Sequence, residues 1–81
     1  LFDMCEANGA DYSIVRQMIT HDQRIGSSHT LVPGLDGERG FGGACFPKDT
    51  QAFVKYAKTI NSPFSVLEAS VEYNKTVRKN A

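Results

Sequence analysis

Cysteine is scarce: the chain has only Cys5 and Cys45, forty residues apart and with no CxxC pair. That spacing argues against a disulfide framework or a structural zinc site, and it makes a reducing, cytoplasmic setting the default. An excess of either charge is missing too. Nine basic and nine acidic side chains cancel, which excludes a polycationic nucleic-acid binder and gives no reason to expect a charged membrane surface as partner. No apolar run approaches the roughly 18–20 residues of a membrane span, and no basic stretch leads into an apolar one as in a signal peptide. With 81 residues the chain is one small domain at most, able to hide only about 60–65% of its unfolded surface. Hydrophobic residues at 41% and charged residues at 22% are ordinary globular proportions and argue against disorder.

What is present is helical periodicity broken by one glycine-rich stretch. Leu1, Met4, Cys5 and Asn8 follow i, i+3, i+4, i+7 spacing with no capping residue before them, as expected of a segment of a longer chain. Asn8-Gly9 reads as the stop, with Gly9 able to turn left-handed. Asp11 is a good N-cap for a second helix over roughly residues 12–20. Ile14, Val15, Met18 and Ile19 share a core-spaced face of it.

From His21 to Gly43 neither period survives, and five of the seven glycines fall between Gly34 and Gly43. A loop of about 20 residues is longer than compact domains carry without a purpose. A third helix starts near Pro47, with Phe53, Val54, Ala57 and Ile60 as its apolar stripe and Lys48, Gln51, Lys55 and Lys58 facing the other way. Asn61-Ser62-Pro63 ends it and starts a fourth, with Ser62 as cap and Pro63 at the first position. That helix is expected to bury Val66, Leu67, Ser70, Val71, Asn74 and Val77. Lys75, Arg78 and Lys79 suit the dipole at its end, Arg78 and Lys79 as a solvated terminus. No strand pattern competes. The fold class is all-α, about four helices with a long glycine-rich loop.

The chemistry is concentrated in Gly40-Phe41-Gly42-Gly43-Ala44-Cys45-Phe46-Pro47-Lys48-Asp49. Glycines allow close approach of backbone to a ligand. Cys45 falls where loop becomes helix, a position at which the helix dipole favours a nucleophilic thiolate. Asp49, four residues on, shares its side of the first turn. A nucleophile beside a carboxylate that can activate water suits acyl transfer. Against this stands the commoner role of a lone cysteine as a small buried hydrophobe. Exposure of Cys45 at a helix start with glycine N–H groups converging nearby, as opposed to core packing, separates the two. A thiol redox sensor is disfavoured because no resolving cysteine is near. His21 and His29 lack metal-ligand spacing, so no metal site is expected; His21 reads as a helix-end residue and His29 as a loop residue. Tyr56 and Tyr73 read as packing or dimer contacts.

Gly42-Gly43-Ala44-Cys45-Phe46-Pro47-Lys48-Asp49-Thr50 resembles the GG-x-CFPKDT signature of the UDP-glucose/GDP-mannose dehydrogenase family. Asp22-Gln23-Arg24-Ile25-Gly26 is similar to that family's D-x-RIG element. Ala7 to Asp11 resemble its helix-turn-helix lead-in, and Asn74 matches an Asn of the following helix. The resemblance implies that residues 1–81 are the central helical, dimer-forming, cysteine-bearing domain of a longer enzyme whose two Rossmann-like domains lie outside the chain. It further implies a four-electron oxidation of a nucleotide-sugar C6 alcohol to a carboxylate by NAD. UDP-glucose is the first-choice substrate and GDP-mannose the second; a purely structural helical dimerisation module is the alternative. On this resemblance Cys45 is the catalytic nucleophile and Asp49 the residue that activates water. Arg24 reaches the sugar nucleotide in the neighbouring subunit's site, while Phe41 and Gly42 lie along the nucleotide. The family's site also uses a Lys and an Asn from a preceding helix, neither of which is in this chain. Gly34 to Arg39 form an added turn relative to some members. The 81-residue chain alone is expected to be inactive, and its partners to be a nucleotide sugar and a second copy of itself.

Overall fold

The computed structural model describes residues 1–78; Lys79, expected above to complete the cationic end of the last helix, lies outside them. Four helices follow in order, α1 (Phe2–Asn8), α2 (Tyr12–Thr20), α3 (Phe46–Thr59) and α4 (Ser65–Val77), with no strand among the described residues. The chain is all-α. Helices α1 and α2 pack as one pair and α3 and α4 as another, with the long loop running between the pairs.

Local chemistry explains most boundaries. Leu1 caps α1 without a side-chain bond, and Gly9 ends it at φ 76°, in the left-handed region that favours glycine. The Asp11 carboxylate accepts the Ser13 N–H at 2.9 Å and opens α2. The start of α4 departs from expectation: Ser62 is not its cap and Pro63 is not its first residue. Asn61 turns left-handed at φ 57°, and its N–H and that of Ser62 donate to the carbonyls of Lys58 and Ala57, at 3.1 and 3.0 Å. These residues are committed to closing α3, so the new helix begins only after Phe64.

Packing is thinner than the apolar stripes imply. The buried hydrophobic residues are Cys5, Ala57 and Val71, joined by the polar Thr50 and Asn74. Ile14, Met18, Phe53, Tyr56, Ile60 and Tyr73 stay exposed, and so does Val66, which the helical pattern had assigned to the interior. Ser70 is exposed as well, whereas Leu67 and Val77 are half-buried. The Cα radius of gyration, 14.7 Å, exceeds the roughly 12 Å of a compact chain of this length. With two helix pairs and a loop between them there is no second layer to cover these faces. The Lys48, Gln51, Lys55 and Lys58 face of α3 also departs from expectation: it lines a groove of about 450 Å³ against α4, where Lys58 pairs with Glu68 at 2.8 Å.

The long loop is irregular but tied down. The Tyr12 hydroxyl donates to the Thr30 carbonyl at 2.6 Å, and Arg16 donates to the Thr30 hydroxyl at 2.6 Å and to the Ser27 carbonyl at 3.3 Å. Gly34 to Glu38 close a turn through the Gly34 N–H and the Glu38 carbonyl at 2.9 Å. Arg39 then reaches α1, pairing with Asp3 at 2.6 Å and lying 5.0 Å above the Phe2 ring.

Candidate functional site

The glycine loop ends at Cys45, which is exposed and stands as the N-cap of α3. Its carbonyl accepts the Asp49 N–H at 2.9 Å, the first hydrogen bond of the helix. No side chain caps α3, and Pro47 in its first turn has no N–H to satisfy. The positive end of the helix dipole lies beside Cys45, with Asp49 as the acidic side chain of that turn. Asp49 lies in that first turn, exposed. Cys45 is thus no core hydrophobe, and a thiol and a carboxylate share the open end of one helix.

Upstream of Cys45 the loop lies across α4. Asn74, only 5% exposed, takes both backbone groups of Phe41: its Oδ1 accepts the Phe41 N–H at 2.8 Å and its Nδ2 donates to the Phe41 carbonyl at 2.9 Å. Gly40 permits this approach. Its φ is 74°, and a Cβ there would collide with Asn74 Oδ1. One turn further along α4, the Arg78 guanidinium donates to the carbonyls of Arg39 and Gly40 at 3.2 and 3.3 Å. It also pairs with Asp36 and with Glu38, the latter at 3.1 Å. A Cβ on Gly42 would strike that same guanidinium. Arg78 is therefore not a solvated helix terminus: its side chain is 8% exposed and inserted into the loop. The guanidinium holds the Asp36 carboxyl below the usual carboxylate range, helped by the Glu38 N–H, and Asp36 in turn raises Arg78. The Phe41 ring meets Phe46, the residue after Cys45, edge to face at 5.0 Å between centroids.

Cys45, Asp49, Phe41 and Gly42 thus belong to one continuous region built from the loop end, the start of α3 and the end of α4. Arg24 makes its side-chain bonds elsewhere. It is exposed on the loop and holds Asp22 through Nε at 3.1 Å and Nη2 at 2.7 Å. Those bonds lower the Asp22 carboxyl from its ordinary value and raise the Arg24 guanidinium. His21 ends α2, and His29 adopts φ 62° in the loop. Among the described residues no group of three or more His, Cys, Asp or Glu side chains could hold a metal, and no helix is long and apolar enough to cross a membrane. The loop-fixing work of Asn74 and Arg78 was not foreseen from sequence. Its signal was an Asn in the last turn of a helix and an Arg at that helix's C-cap four residues on, matched by Gly40 and Gly42 two apart in the loop.

Comparison with known proteins adds an independent line. The model of the UDP-glucose/GDP-mannose dehydrogenase family, central domain, matches residues 1–76. The chain is similar to the UDP-glucose 6-dehydrogenase TuaD of Bacillus subtilis, 43% identical over 76 residues, covering 94% of this chain and 15% of that protein. A UDP-glucose 6-dehydrogenase of Rhizobium meliloti is 42% identical over 72 residues, covering 89% of this chain and 15% of its own length. One of Gallus gallus is 42% identical over 60 residues, covering 74% and 11%. The chain thus spans about 15% of the length of the first of these curated relatives. No solved structure matches it.

Proposed function

The chain belongs to the UDP-glucose/GDP-mannose dehydrogenase family, and we propose on that footing that it is the helical central piece of an NAD-dependent nucleotide-sugar 6-dehydrogenase acting on UDP-glucose in the cytoplasm. The observation that carries this reading is Cys45, exposed at the start of α3 with Asp49 in the same first turn. The Cys45 thiolate attacks the aldehyde-level C6, forming a C–S bond and a thiohemiacetal. Loss of a hydride from that carbon, for which the family's NAD would be the acceptor, leaves a thioester on Cys45, and Asp49 takes a proton from water as the water attacks it. The C–S bond breaks, releasing a carboxylate and regenerating the thiolate. Phe41 and Gly42 lie along the nucleotide, and Arg24 reaches the substrate of a neighbouring subunit. Its exposure on the loop is consistent with that reach.

NAD is the oxidant the family implies, and the described residues do not fit it. A dinucleotide cradle needs a glycine turn between a strand and a helix. Here no strand precedes Gly40 to Gly43. NAD binding is therefore assigned to domains of the parent enzyme beyond this chain.

The same reading accounts for the uncovered apolar side chains on α2, α3 and α4 as surfaces of a homodimer and of neighbouring domains. If Tyr56 and Tyr73 are dimer anchors, Tyr56→Ala with Tyr73→Ala weakens self-association about 30-fold or more in sedimentation. Unchanged association would remove them from the interface. The test of function uses the full-length enzyme with UDP-glucose and NAD. Wild type releases two NADH per sugar carboxylate formed, and Cys45→Ser releases no carboxylate. Equal turnover by Cys45→Ser would overturn the reading, and preference for GDP-mannose would change the substrate.

A further inference from the structure

We infer that Asn74 is a positioning residue for the reaction: from α4 it fixes the loop that delivers Cys45 to the start of α3. The inference rests on the proposed role of Cys45 and extends it to a side chain that touches neither the thiol nor, on this reading, the substrate.

Several independent observations meet at this point. Asn74 is a polar side chain buried to 95% in a chain with almost no buried core, so its burial has to be offset by bonds. Those bonds are a matched pair to a single residue, donor to the Phe41 carbonyl and acceptor from the Phe41 N–H. The amide satisfies the two backbone groups with two separate atoms, where a carboxylate has no donor and an ammonium has no acceptor. The backbone has in turn been shaped to the side chain, because Gly40 leaves no room for a Cβ against Asn74 Oδ1. Finally, the anchored residue is coupled forward: the Phe41 ring packs on Phe46, immediately after Cys45. Between the anchor and Cys45 lie only Gly42, Gly43 and Ala44, with Gly43 at φ 98° and open space around its Cα. Without the anchor this hinge-like stretch has no regular hydrogen bonding of its own to hold it. Misplacement of a nucleophile by about 1 Å costs on the order of 100-fold in rate. The clamp therefore controls turnover although it makes no contact with the reacting atoms.

The test is made in the full-length enzyme with UDP-glucose and NAD. Asn74→Asp is nearly isosteric and retains the acceptor for the Phe41 N–H but turns a second acceptor toward the Phe41 carbonyl. Asn74→Ala removes both bonds. Both variants are expected to lower kcat about 10–100-fold, Asn74→Ala more than Asn74→Asp. KM for UDP-glucose is expected to rise as well, because Phe41 is itself placed along the nucleotide, so the fall in kcat at saturating substrate is the diagnostic readout. Thermal melts fix the folded fraction at the assay temperature, and the rates are taken per folded enzyme. Wild-type kcat in folded Asn74→Asp and Asn74→Ala, or a loss confined to KM, would overturn the inference. Cys45→Ser run in parallel keeps the two questions apart. Normal turnover there defeats the role of Cys45 itself, whereas a dead Cys45→Ser beside fully active Asn74 variants defeats only the role of Asn74.

Discussion

Helices α2 and α4 each hold part of the same long loop, but by different means. On α2, half-buried Tyr12 and Arg16 reach out to Thr30 and Ser27, where water can replace any bond that is lost. On α4, buried Asn74 and the enclosed guanidinium of Arg78 take the backbone of Arg39, Gly40 and Phe41 directly. The contrast shows how an irregular segment can be specific without a hydrophobic core. Buried polar groups with matched partners fix geometry, because each alternative leaves a donor or acceptor unpaired. Exposed tethers fix proximity only. The proposed nucleophile follows the first kind of anchor, and Arg24 lies on the stretch near the second.

The largest effect expected from this contrast is on stability. Asn74→Ala strands the N–H and carbonyl of Phe41, at about 1–3 kcal/mol for each group that water cannot reach. A loss of at least about 2 kcal/mol is expected in denaturant melts, together with faster hydrogen exchange at the Phe41 amide. A loss below about 0.5 kcal/mol would mean that the anchor is no tighter than a surface bond.

Legibility of the chain divides along the same line. The caps at Asp11 and Gly9 could be read because each acts on residues within a few positions. The glycine loop and the placement of Cys45 at a helix start were legible from composition and from the Pro47 signal. Departures come where a preceding helix end competes for the same residues or where the deciding partner is distant in sequence. Ser62 looked like a cap, but its N–H is used by α3. Val66 carries a core pattern but stands exposed among the described residues. Arg78 had the look of a helix-end charge, because Asp36 and Glu38, which enclose it, are about forty residues away. Composition reads the loop glycines as room for a ligand and the resemblance sets Gly42 along the nucleotide; the structure adds a second reason for Gly40 and Gly42 in Asn74 and Arg78.

A smaller effect is expected on the α2 side. Tyr12→Phe removes one half-exposed bond to the Thr30 carbonyl and should cost about 0.5–1.5 kcal/mol. If Tyr12→Phe proves as damaging as Asn74→Ala, the two anchors do not differ in kind.

The smallest effect concerns acid. Arg78 depresses the Asp36 carboxyl, so that the folded form binds its proton less readily than the unfolded chain. This contribution to stability is present above the ordinary carboxylate range and is lost as pH falls through the lowered value in the folded state. Exposure of Asp36 keeps it modest. Asp36→Asn should flatten the acid side of the stability curve slightly and leave neutral pH nearly unchanged. A steeper acid slope in Asp36→Asn would contradict the assignment.

If Cys45 carries the acyl group and Asp49 assists its hydrolysis, intact-protein mass spectrometry of the quenched Asp49→Asn enzyme reveals both. With UDP-glucose and NAD, hydrolysis should slow by about 10²–10⁴-fold, and the sugar nucleotide should accumulate as a covalent adduct that maps to Cys45. Unmodified Cys45 with near-normal turnover would contradict the account and leave Asp49 as a charge complementing the dipole of α3, worth about 0.3–1 kcal/mol.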